Sequence, residues 1–142
     1  LIFIAMNKSN ILIIHILKGA LAVILGYIAL RIVNLPRTFI LDLIIENGLD
    51  SNGFPTTVNS QIGFLIYIFI AGLVGAYIVG LFSMRNQWTL LFIFFGLLLV
   101  NDIYSILSPL VEQPIWFKAL LFATLPLQIW LGGILGMRTI KS

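Results

Sequence analysis

Polar residues interrupt this chain at only a few places. Between them run four apolar stretches, roughly residues 11–33, 62–82, 88–107 and 116–136. Each is close to the ~20 residues that a helix needs to cross the hydrocarbon core of a bilayer. The pattern predicts an all-α fold: an integral membrane four-helix bundle forming a single domain over the whole chain.

The connection over residues 34–61 is the one long break. Thr38, Asp42, Glu46 and Asp50 recur every four residues, which lines them along one helical face. Phe39, Ile40, Leu41, Leu43, Ile44 and Ile45 cover the rest. Asn34 is placed to cap this helix, Pro36 fits its first turn and Gly48 suits its exit. A helix with a broad apolar face and a narrow acidic stripe is expected to lie in the membrane interface, as a lid or a surface helix over the bundle. Residues 51–57, Ser-Asn-Gly-Phe-Pro-Thr-Thr, carry turn chemistry.

Composition reinforces the membrane reading. Of the 142 residues, 61% are hydrophobic and only 9% charged. Soluble domains carry about 25% charged residues. The mean hydropathy is +1.13. A net charge of +3 in such a chain bears on orientation and gives no case for nucleic acid binding. One side of the predicted spans holds Lys8, Arg85, Arg138 and Lys141 and no carboxylate. The other holds Arg37 and Lys118 with Asp42, Glu46, Asp50 and Glu112. Both termini are therefore expected to face the cytoplasm of a bacterial inner membrane, or its equivalent in an organelle. Trp88 and Trp116 stand at span edges, where indole rings favour the headgroup region. Met6 heads a second possible start, and Lys8 with Ala20-Leu21-Ala22 offers a signal-peptide reading. Lys18 interrupts that pattern, and the apolar run continues to Val33, so a retained helix is expected.

Packing in lipid depends on small residues that let backbones approach. The first span offers Gly19, Ala22, Gly26 and Ala29, and the second Gly72, Ala76 and Gly80. These seams predict tight contact between the first two spans, or an oligomer interface on the second. Pro126 is expected to kink the fourth span, and Gly132, Gly133 and Gly136 to soften its end.

Ionisable groups inside a membrane are costly and are functional candidates. Depth counting at about 1.5 Å per residue sorts them into two layers. His15 and Lys18, three apart on one face, share an inner layer with Gln128. Tyr27, Arg31, Tyr67, Asn101, Asp102, Tyr104 and Ser105 form an outer layer, in which Arg31 and Asp102 are expected to pair. The inner layer reads either as a proton or anion relay through His15, or as a snorkelling lysine beside two hydrogen-bonding side chains. The outer layer reads either as a pocket or as a structural lock between the first and third spans.

Other chemistries find no support. Absent cysteines exclude disulfides, thiolate metal sites and c-type haem. One histidine and scattered carboxylates make no metal constellation, and no cofactor is implied. No phosphate loop, nucleophile elbow or zinc protease signature is present. The chain is expected to be a non-enzymatic subunit or scaffold of a membrane complex. Its partners would be the bilayer and other membrane subunits or copies of itself. The alternative is a homo-oligomeric transporter or channel lined by the two polar layers.

Overall fold

The computed structural model describes the backbone of residues 2–82, 87–108 and 110–141, and side chains from residue 7 to 139 within those stretches. Arg85, one of the cations in the charge count above, and the side chain of Lys141 lie outside the described parts. Among the described residues five helices follow in order: α1 (Ile2–Asn34), α2 (Arg37–Ile44), α3 (Val58–Phe82), α4 (Gln87–Leu107) and α5 (Ile115–Lys141). Four of them, α1, α3, α4 and α5, are long and apolar enough to cross a membrane.

The helix boundaries have local causes. Asn34 belongs to α1 and does not cap α2, whose N-cap position is Pro36 without a side-chain hydrogen bond. Proline disfavours helical backbone in the residue before it, so the chain breaks at Leu35–Pro36 and restarts at once. The acidic stripe is cut short for a similar local reason. α2 ends at Ile44, and Asn47 adopts a left-handed φ of 55°. Glu46 and Asp50 therefore lie beyond the helix. Asp50 instead closes the following turn, its Oδ1 accepting the backbone N–H groups of Asn52 and Phe54, both at 2.9 Å. An isolated bridge between Leu49 and Pro55 shuts the base of that turn.

α3 starts with a reciprocal cap. The Thr57 N–H donates to Ser60 Oγ at 2.9 Å, and the Ser60 N–H donates to Thr57 Oγ1 at 3.2 Å. Two donors that a helix start leaves orphaned are satisfied in this way.

α3 is the centre of the bundle, and its small residues are the reason. Because spans alternate in direction, α3 and α5 run parallel. Their contacts keep a constant register: Gly72 meets Gln128, Ala76 meets Gly132, and Gly80 meets Gly133 and Gly136. A Cβ at Gly80 would stand 2.6 Å from the Gly133 carbonyl oxygen, so the two backbones touch. The expected tight contact between the first two spans does form, through Gly26 and Gly75, while Gly72, Ala76 and Gly80 face the last span within the chain. Gly132, Gly133 and Gly136 are the other half of that seam, not a flexible end. α1 takes the adjacent stripe of α3, where a Cβ at Gly26 would lie 2.8 Å from the Gly75 carbonyl oxygen. Ala22 is buried as well, while Gly19 packs against Leu90 of α4. α5 continues through Pro126 to Lys141.

Two apolar clusters result. One surrounds the glycine seam and includes Val79, Leu91, Phe94 and Leu98. The other lies under α2 and includes Leu41, Phe64, Phe117 and Leu121. α1 outruns both. Residues 7–18 are exposed throughout, with Ile11, Leu12, Ile13, Ile14, Ile16 and Leu17 open on every side of the helix.

Candidate functional site

A cavity of about 390 Å³ opens beneath α2. All five helices supply its walls. The last turns of α1 give Tyr27, Arg31 and Asn34, and α2 gives Arg37 and Thr38. α4 adds Asn101, Asp102 and Ser105 at spacings of one and three, so all three fall on neighbouring faces of one helix. α5 adds Gln128, which the glycine at position 72 lets approach α3. Leu98 and Leu125 form part of the lining, and below them Phe94, Val79 and Leu91 are fully buried. The cavity thus ends on a dry apolar layer.

Its polar groups are incompletely satisfied by the chain. Asn34 Oδ1 and Arg37 Nε are buried without a hydrogen-bond partner among the described residues. Most buried polar atoms in folded proteins do have one, so two such atoms in one cavity stand out. The Arg37 guanidinium lies 4.2 Å from the centroid of the Phe64 ring, a cation–π contact. Arg31 reaches over Tyr27 at 6.0 Å. Asp102 is only 9% exposed. The expected Arg31–Asp102 ion pair does not form: neither Arg31 nor Arg37 places a nitrogen within 4 Å of that carboxylate. Gln128 is 1% exposed and donates from Nε2 to Thr124 Oγ1 at 3.3 Å.

The two predicted layers are therefore redrawn. Gln128 belongs with Arg31, Asn101 and Asp102, not with His15 and Lys18. The contact between Gly19 and Leu90 sets Lys18 near the level of Thr89, one residue inside Trp88 at the end of α4. Gln128 is level with Gly72, well up the bundle. His15 and Lys18 instead line a separate, mostly apolar groove of about 690 Å³ between α1 and α4. Both are exposed there. Tyr67 ties helices together: its hydroxyl donates to the Val33 carbonyl oxygen at 2.7 Å. Tyr104 points outward. Asn34 and Arg37 are cavity residues that the polar layers of the sequence do not include. Pro36 is the signal that bears on them, since it forces a break that turns both side chains toward the bundle end.

Among the described residues no group of three or more His, Asp or Glu side chains is placed to hold a metal ion. The chain matches no protein-family model, no curated protein and no solved structure.

Proposed function

We propose that this membrane protein is a non-enzymatic subunit that docks onto a helix of another membrane chain through the exposed half of α1. The observation that carries this reading is the all-round exposure of residues 7–18, on the N-terminal side of the Gly19–Leu90 contact. Lipid covers most exposed apolar side chains of a membrane helix, but a half-helix that is open on every side also offers a neighbouring span an unobstructed face. The groove of about 690 Å³ between α1 and α4 adjoins this segment, and His15 with Lys18 gives it polar handles three residues apart. In this reading both termini face the cytoplasm or an organellar equivalent, α2 lies in the opposite interface, and Lys18 sits near the inner headgroups with its amine free for a carboxylate or lipid phosphate.

A photo-crosslinking residue at Ile16, which lines the groove, tests the reading against one at Ile103, which is exposed on α4. The expected result is a discrete protein adduct from position 16 and lipid adducts alone from position 103. Lipid adducts alone from both positions would remove the docking surface.

Transport through a homo-oligomer is the second reading, and the polar cavity favours it. The dry layer under that cavity counts against a continuous route through one chain, because His15 and Lys18 lie beyond it.

A further inference from the structure

The geometry points to the cavity beneath α2 as a binding site for a zwitterion, a small group carrying an oxyanion and a primary ammonium a few ångströms apart. This goes beyond the docking surface on α1 and does not depend on it.

The charges in the cavity are arranged as separated opposites. Arg31, Asn34 and Arg37 occupy the wall made by the α1–α2 break. Asn101, Asp102 and Gln128 come from α4 and α5. No ion pair joins the two sets. A buried carboxylate and a half-buried guanidinium in one small space ordinarily close on each other, since each otherwise loses hydration without compensation. Here the space between them stays open. A ligand bearing both charges would satisfy both walls at once.

The unsatisfied atoms agree with this. Arg37 Nε is a buried donor with no acceptor among the described residues. Guanidinium groups bind phosphate and carboxylate through two parallel N–H groups, and Nε is commonly one of them. The Phe64 ring centroid lies 4.2 Å from the Arg37 guanidinium carbon, a cation–π contact that steadies the head. Asp102 on α4 offers a carboxylate, which the Asn101 side chain hydrogen-bonds, and the side-chain carbonyl of Asn101 offers a further acceptor for an ammonium. A bare anion would bring Asp102 no counter-charge. A bare cation would leave Arg37 Nε without an acceptor. The volume of about 390 Å³ lies within the roughly 300–1,000 Å³ typical of small-ligand sites.

The same chemistry occurs in the headgroup of phosphatidylethanolamine and in free amino acids, and the experiment separates them. The full chain in detergent is titrated with phosphatidylethanolamine, phosphatidylcholine and phosphatidylglycerol, with binding read by native mass spectrometry and by the shift in thermal unfolding. Glycerophosphoethanolamine and alanine are the soluble competitors. We expect the ethanolamine lipid to bind at least about tenfold tighter than either other lipid, since one lacks ammonium N–H donors and the other lacks the cation. Arg37→Gln and Asp102→Asn should each remove that preference. Competition by alanine would assign a soluble amino acid as the ligand, and failure of both competitors would assign the lipid. Equal binding of all three lipids, or an ethanolamine preference that survives Asp102→Asn unchanged, would overturn the zwitterion site. The lipid preference of the unaltered protein decides the matter even if a variant fails to fold.

Discussion

The side-chain amide of Gln128 occupies the space that a Cβ at Gly72 would take. α5 can carry a buried amide into the bundle only because α3 has no side chain at that level. Gly72→Ala is expected to destabilise the fold by about 1–3 kcal/mol through overpacking. Gln128→Ala in the same chain should return part of that loss, giving a coupling above about 0.5 kcal/mol in a double-mutant cycle read by thermal unfolding in detergent. Gly96 provides the control, because a Cβ there would meet nothing within 4 Å. Gly96→Ala should be neutral or stabilise by up to about 1 kcal/mol, since alanine favours a helix interior over glycine. Equal effects at the two glycines would refute the packing argument.

Arg31 and Asp102 share a cavity without forming a pair. Their individual replacements, Arg31→Gln and Asp102→Asn, are therefore expected to add, with a coupling below about 0.5 kcal/mol in unfolding experiments on the ligand-free protein. A coupling above about 1 kcal/mol would mean that the two side chains close on each other in the membrane.

Tyr67 ties α3 to the end of α1 through one hydrogen bond of 2.7 Å to the Val33 carbonyl. Tyr67→Phe removes the donor and keeps the ring. The expected loss is about 0.5–1.5 kcal/mol. Faster amide exchange at Leu35, whose N–H bonds back to Arg31 at 3.1 Å, should accompany it. Unchanged exchange there would show that the break between α1 and α2 is held by something else.

Hydrophobicity alone makes the four spans legible, because length and the scarcity of charge are properties of the sequence. Depth is less so. Counting back from residue 136 puts Gln128 near Lys18, yet α5 runs on to Lys141. The glycines that resemble a soft helix end are the seam that sets its height against α3. Partner choice is also hidden. Gly72, Ala76 and Gly80 announce a close contact, but a small-residue stripe does not say which helix fills it. Asp102, Asn101, Arg31 and Tyr27 are recognisable as neighbours from depth and type. Arg37 and Asn34 are not, since their position depends on a two-residue break whose direction no periodicity encodes. The acidic stripe fails at Glu46 and Asp50 because turn geometry around Asn47 overrides a repeat of four.

The dry layer of Phe94, Val79 and Leu91 has an electrical consequence. A membrane voltage falls mainly across the part of a protein that holds no water or mobile charge. A charge that enters the cavity stops at that layer, so it crosses only the part of the field above it. The full drop is worth about 2.3 kcal/mol per charge at 100 mV. For a chain spanning a membrane, occupancy of the cavity should therefore respond to voltage less than passage of the same charge through the whole bundle would.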